Sequence, residues 1–267
     1  MLTEEQIQQA ADDLYLAEQN RQQIAPLTLT HPDMDMEDAY AVQTAWVQRK
    51  IENGRKVIGY KIGLTSRAMQ RVMKIETPDY GVLLDDMAFE DGSDIVAADF
   101  LDPQIEVELA FVLKKKLSGE NVTVEEVLDA TDYVIPAFEL IAARSVRANP
   151  ETGYTRKVFD TIADNAANAG IISGGLKVNP TEVDLRWCGA IVELNGVIEQ
   201  TGLAAAVLGH PAQGICWIAK RFAPHGISLE PGQVLLSGSF TAPVKVKAGD
   251  HVTADYGKLG QISVNFV

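Results

Sequence analysis

Ile105-Glu106-Val107-Glu108-Leu109-Ala110-Phe111-Val112-Leu113 is the stretch on which the reading of this chain turns. Its apolar and alternating texture predicts a strand. Strand side chains alternate between faces, so Glu106 and Glu108 project from the same face with their Cα atoms about 7 Å apart. A half-exposed strand of an acidic protein gives the same pattern, so this pair needs a third witness. It comes from residues 133–141, a second strand-like run that is apolar on both faces except for Glu139 in its middle. Burying an unpaired carboxylate is costly, so Glu139 calls for a cationic partner. Arg144 is near in sequence, and a metal ion shared with Glu106 and Glu108 would satisfy all three carboxylates at once. Oxygen ligands without histidine or cysteine favour a hard cation, Mg²⁺ first and Mn²⁺ or Ca²⁺ next. Such an ion keeps exchangeable positions, which a 2-oxo acid can fill through a carboxylate and a keto oxygen.

Outward from these two runs, short apolar segments separated by Gly, Pro and Asp continue from Val57 to the C-terminus, a strand-and-turn grammar. Further strands are expected at 57–62, 169–172, 185–194, 233–236, 243–246, 251–255 and 261–266. The first quarter reads differently. Thr3 with Gln6 resembles a capping box ahead of Ile7, Ala10, Ala11 and Leu14 at helical spacing. Asp35 or Asp38 can cap a second helix whose stripe is Ala39, Val42, Trp46 and Val47, with Gly54 as its stop. Two more helices are expected, one from a Thr123/Glu126 capping box and one across 204–222, where Pro211 kinks or divides it. Strands and helices do not alternate regularly, which disfavours a doubly wound or barrel α/β fold. The expectation is α+β: residues 1–56 as an N-terminal helical cap, and 57–267 as a β-rich catalytic domain with a mixed, curled sheet.

Of the 267 residues, 37 are acidic and 23 basic, a formal charge of −14. That field repels nucleic acid and anionic membrane surfaces, and an anionic substrate must be met by a metal or by local Lys and Arg. No apolar run approaches the roughly 20 residues that span a bilayer. Two cysteines, Cys188 and Cys216, with no CxxC and no signal-like N-terminus, point to the cytoplasm.

Other segments carry weaker signals. In Gly59-Tyr60-Lys61-Ile62-Gly63 a lysine sits among apolar residues and glycines. There it is either a surface lysine snorkelling from a strand or a desolvated acid–base group with a lowered pKa. Thr77-Pro78-Asp79-Tyr80-Gly81 reads as a turn with Asp79 bonding its own backbone, or as a second acid–base group. Asp160 to Asn165 is a polar turn or helix start, or orders water about a metal. Ser237-Gly238-Ser239-Phe240-Thr241 is a strand-end turn, or a nest of N–H groups for a carboxylate. Nucleotide-binding, zinc-protease and serine-hydrolase motifs are absent.

Gly59-Tyr60-Lys61-Ile62-Gly63-Leu64-Thr65, Pro78-Asp79-Tyr80-Gly81, Glu106-Val107-Glu108, Phe138-Glu139 and Phe159 to Asn165, in that order and spacing, resemble the hydratase/decarboxylase branch of the fumarylacetoacetate hydrolase fold family. Gly249-Asp250 and Tyr256 to Gly260 are similar to its closing strands. The resemblance implies a β-roll-like core, Mg²⁺ (with Mn²⁺ as a substitute) on Glu106, Glu108 and Glu139, and roles in proton movement for Lys61 and Asp79. Arg67, Asp164 and Ser239 are the expected substrate contacts, with Arg144 and Arg156 also available to a distal carboxylate. It further implies homo-oligomers, often built from five-fold rings. The implied substrate is a 2-oxo-enoic or 2-hydroxy-dienoic acid, foremost a seven-carbon diacid of homoprotocatechuate breakdown, to which water is added. Five-carbon dienoate hydration and 4-oxalocrotonate-type decarboxylation are the alternatives among enzymes, and a metal-stabilised interaction protein is the alternative outside them. Hydrolase members use a histidine close to the metal, and this chain has none between His31 and His210.

Overall fold

Thr3, Asp35 and Thr123 each form a reciprocal capping box, with Gln6, Asp38 and Glu126 respectively. Two of the four orphan N–H groups at each helix start are thereby satisfied. In the computed structural model, which describes residues 1–67, 70–71, 75–149 and 151–267, these boxes start three helices. They are α1 (Glu4–Asn20), α3 (Met36–Glu52) and α4 (Val124–Ala130), with a single turn, α2 (Leu27–Thr30), between the first two. Beyond α3 the chain turns at Gly54, whose φ is +90°. Asp160 is a helical residue of α5 (Val158–Ala163). Pro211 divides the expected long helix: a 3₁₀ turn occupies Ala204–Ala206, and α6 (Ala212–Phe222) starts directly after the proline, where a missing N–H costs nothing.

The larger sheet is mixed, in the order β2-β1-β10-β5-β6-β7-β3, with β11 also paired to β5. Its strands are β1 (Val57–Gly63), β2 (Asp79–Leu84), β3 (Ala88–Glu90), β5 (Gln104–Leu113), β6 (Thr131–Ile141), β7 (Asn168–Ser173), β10 (Val234–Leu236) and β11 (Val244–Lys245). The smaller sheet runs β4-β13-β12-β8-β9, from β4 (Asp94–Ile95), β8 (Gly189–Leu194), β9 (Val197–Leu203), β12 (His251–Asp255) and β13 (Gln261–Phe266). The α+β class with a curled, mixed sheet is what the sequence texture predicts.

Three expectations change. The 77–81 segment is not a turn, because Asp79 opens β2 and pairs antiparallel with Gly63 of β1. The expected strand at 185–194 is shortened to β8, since Leu185–Trp187 forms a 3₁₀ turn with the Asp184 side chain accepting from the Arg186 N–H. After β8, Asn195 and Gly196 both take left-handed φ values of 54° and 79°, the signature of a tight hairpin. They return the chain as β9, an edge strand not foreseen from its mixed polar composition.

Alternation on the curled sheet sorts its side chains. Val107, Leu109, Phe111, Phe138 and Leu140 pack toward Val192, Val252, Ile262 and Val264 of the smaller sheet. The opposite face gathers Leu83, Ala110, Ile135, Ala137, Ile171 and Leu236 into an inner apolar plug. Residues two and four positions along those same strands are Asp79, Glu106, Glu108 and Glu139, so pleat parity alone puts the carboxylates at the end of the plug. Helices α1 and α3 cover the flank of β2, with Ala11, Leu14, Val42 and Trp46 against Val82, Leu84 and Ile162.

Tyr256, at the end of β12, fastens the sheets at the level of the glutamates. Its buried hydroxyl lies 2.7 Å from the Ala137 carbonyl and 3.0 Å from the Glu108 carbonyl. Tyr256→Phe should therefore lower the free energy of unfolding by about 1–2 kcal/mol. Urea melts at fixed metal concentration measure this, and an unchanged midpoint would show that the hydroxyl ties nothing together.

Candidate metal centre and active site

Glu106 and Glu139 are direct cross-strand partners on β5 and β6, and Glu108 lies opposite Ala137. Like charges placed opposite one another repel, yet Glu139 has no exposed surface and Glu108 has almost none. One oxygen from each of the three carboxylates falls within 4.8 Å of the others. The remaining partners are one-sided. Glu139 Oε1 forms an ion pair with Lys61 Nζ at 3.2 Å and accepts from Asn168 Nδ2 at 3.0 Å. Glu108 Oε2 accepts from the Gly238 N–H at 2.7 Å. Glu108 Oε1 and Glu139 Oε2 are buried with no hydrogen-bond partner. Two orphaned carboxylate oxygens beside a third carboxylate fit a divalent, oxygen-loving cation, and these residues could hold one.

Two glycines make this approach possible. A Cβ on Gly63 would lie 2.2 Å from Asp79 Oδ1 and 3.1 Å from Lys61 Nζ, so only glycine lets β1 and β2 close over these side chains. Gly238 has a φ of +117°, and a Cβ there would strike Thr65 Oγ1 at 2.1 Å. The left-handed backbone aims its N–H at Glu108.

Lys61 is buried, and its pKa moves opposite to the sequence-based expectation. Burial pulls it down, but Glu139, Asp79, Glu106 and Glu108 together outweigh burial and raise it above an ordinary lysine. Lys61 is thus held as an ammonium. Asp79 Oδ1 lies beside Gly63 and is buried without a hydrogen-bond partner. Burial raises its pKa, with Lys61 opposing and Glu139 adding to the rise. Glu106 is pushed up to about 8 by burial and then by Glu139. Glu108 is raised by burial, Glu139 and Glu106 in turn.

A cleft of about 380 Å³ opens on Glu106, lined by Gly63, Thr65, Gln200, Ser239 and Thr241 among others. Its wall is the segment after β10, which runs antiparallel to β5 with the Phe240 N–H 3.4 Å from the Val107 carbonyl. Of the sequence-predicted substrate contacts, Ser239 lines this cleft, its hydroxyl donating to the Thr241 carbonyl. Arg67 is exposed and borders a neighbouring hollow with Gln70, Arg71 and Glu76. Asp164 is buried behind the site, its carboxylate bonded to Arg144 at 3.0 Å and Arg156 at 3.3 Å. Its connection to the glutamates runs through Arg144 and Asn168. Asn168 is a site group that sequence reasoning missed, whereas the Gly238 N–H meets a carboxylate as the nest reading of 237–241 allows, the carboxylate being that of Glu108. A lone asparagine opening the apolar run Ala169-Gly170-Ile171-Ile172 was the available signal for the first.

The fumarylacetoacetate hydrolase C-terminal family model matches residues 53–267. The chain belongs to the fumarylacetoacetate hydrolase family. Within it, the chain is 56% identical over 257 residues to 2-oxo-hept-4-ene-1,7-dioate hydratase of Escherichia coli, covering 96% of both proteins. It is 38% identical to 2-keto-4-pentenoate hydratase of Paraburkholderia xenovorans, over 99% of this chain and 96% of the relative. The fold superposes on 4-oxalocrotonate decarboxylase of Pseudomonas putida, solved in complex with magnesium and adipate, with a TM-score of 0.94 and 36% identity over 100% of this chain and 99% of that one. A second crystal of that decarboxylase holds calcium and acetate, at a TM-score of 0.93.

The raised carboxyls make stability depend on pH. A carboxyl whose pKa is higher in the folded than in the unfolded chain stabilises the fold fully below the unfolded value. For Glu106 that contribution is lost as pH rises from about 4.5 through about 8. Metal-free protein should therefore melt at a lower temperature at pH 9 than at pH 6. A divalent cation, which binds the native cluster, should restore the difference at pH 9. Scanning calorimetry with and without chelator measures this, and a metal-free melting temperature that rises across the interval would contradict the cluster's electrostatics.

Proposed function

We propose that the protein is a Mg²⁺-dependent hydratase that converts 2-oxohept-4-ene-1,7-dioate to 4-hydroxy-2-oxoheptane-1,7-dioate. The reading is carried by the 56% identity to a hydratase of that substrate across nearly the whole chain. The converging glutamates beside Lys61 and Asp79 support it. Glu106, Glu108 and Glu139 would hold the ion, and Mn²⁺ would serve in its place. When bound, the ion supplies Lewis-acid polarisation of a 2-oxo acid chelated through its carboxylate and keto oxygens.

The protein's own groups do the rest. Asp79, with one oxygen free of protein partners, takes a proton from C3 of the 2-oxo-4-ene to leave the dienolate and returns a proton to C5, giving the 2-oxo-3-ene, and water then adds across C3=C4, its hydroxyl to C4 and a proton to C3. Lys61, bonded to Glu139 and flanked by Asp79, contributes a fixed positive charge that holds both carboxylates in place and offsets the negative charge of the substrate. The apolar plug below and the narrow cleft above keep bulk water from the dienol. Ser239 lies along the substrate in the cleft. Arg67 meets the distal carboxylate at the mouth, next in the chain to Ser66 of the cleft wall. Asp164 acts from behind by fixing Arg144. We place the enzyme in the cytoplasm, where the free thiols Cys188 and Cys216 persist. Among the described residues no helix is long and apolar enough to cross a membrane. We also propose a homo-oligomer. Edge strand β9 exposes Val197, Ile198 and Leu203 beside the largely exposed Trp187, an apolar margin that a second copy would cover.

Ultraviolet absorbance of a 2-hydroxy-dienoate, followed with and without Mg²⁺, tests the chemistry. The expected result is metal-dependent loss of the dienol with water added, whereas carbon dioxide release would favour decarboxylation. Asp79→Asn should lower kcat by about 10²- to 10⁴-fold while metal still binds, and full turnover in that variant would remove Asp79 from the mechanism. Glu139→Gln should lose metal binding and activity together.

A further inference from the structure

The glutamates define where a cation would sit, but Glu139 could present either oxygen to it. Its environment settles which. Oε1 takes the Lys61 ion pair and the Asn168 amide, and Oε2 is buried with no hydrogen-bond partner. Lys61 alone does not fix this arrangement, because an ammonium on a flexible stem is also drawn toward Asp79. A planar amide has one donor direction. Turning the Asn168 amide over would set its oxygen against Glu139, so chemistry fixes its orientation.

Asn168 is itself anchored. It opens β7 where the pairing with β6 shifts register, Leu140 facing Gly170 and Ile141 facing Asn168. Its carbonyl accepts from Arg144 Nη2 at 3.1 Å. The buried Arg144 guanidinium is held by Asp164 at 3.0 Å and by Glu18 of α1 at 2.7 Å, and it lies 4.6 Å over the Trp46 ring of α3. A chain of contacts therefore runs from the N-terminal helices through Arg144 to Asn168 and ends on one oxygen of Glu139.

We propose that Asn168 is a positioning residue, anchored by Arg144, that turns Glu139 so that Oε2 faces the cation. This rests on the reading of the three glutamates as a divalent-metal site. Partners that orient a ligand from behind typically carry 10- to 100-fold in metal affinity.

The test is Mn²⁺ titration calorimetry on chelator-stripped, substrate-free protein, paired with the Mg²⁺ dependence of dienol turnover. In Asn168→Ala the Mn²⁺ dissociation constant and the Mg²⁺ activation constant should both rise about 10- to 100-fold, with lost activity returning as Mg²⁺ is raised. The near-isosteric Asn168→Asp, which lacks the donor, should weaken metal binding at least as much, and it serves if the alanine variant does not fold. Metal affinity within two-fold of wild type, or an activity loss that excess Mg²⁺ does not reverse, overturns the proposal. A wild-type protein that binds no Mn²⁺ would instead overturn the metal reading beneath it.

Discussion

Mutual repulsion among three clustered carboxylates, two of them fully buried, is the constraint around which this structure is arranged. Glu106 and Glu139 face each other across two central strands of the larger sheet, the placement that a sheet ordinarily avoids. One lysine, one backbone N–H and one amide offset only part of that repulsion. A cation bound there would complete the balance, and without it a proton would. The cost of keeping the cluster together falls on the rest of the fold: Tyr256 fastens the sheets behind Glu108, and the apolar plug packs on the same face of the strands.

The same constraint explains why Lys61 behaves unlike an isolated buried lysine. Desolvation favours its neutral form, but four carboxylates reverse the balance. In the proposed mechanism Lys61 is therefore a fixed charge, and proton movement passes to Asp79, one of whose oxygens has no hydrogen-bond partner. Division of labour between two neighbouring groups follows from their partners, not from their residue types.

Much of this was legible in the sequence, and the boundary has a physical basis. Capping boxes at Thr3 and Thr123 are local, so four residues suffice to read them. Glu139 stood out because a charge inside an apolar run is anomalous wherever the chain folds. Strand β9 escaped because an edge strand of mixed polarity lacks a period, and β2 because Pro78 and Gly81 resemble turn residues when their pairing with β1 is unseen. Asn168 acts on a glutamate 29 positions away and the Gly238 N–H on one 130 positions away, so no spacing rule reveals the first or names the carboxylate that the second meets. The pKa direction of Lys61 was misjudged for the same reason: burial shows in its neighbours along the chain, whereas its opposing charges come from three other strands.

The most direct test of the central claim is a crystal structure of the protein soaked in Mn²⁺, with the ion located by its anomalous scattering. The account expects one strong peak bonded to Glu106, Glu108 and Glu139 Oε2 at about 2.0–2.3 Å, close to the distances of hard divalent cations to carboxylates. No peak at the cluster, with Lys61 or a proton alone balancing the three glutamates, would contradict it.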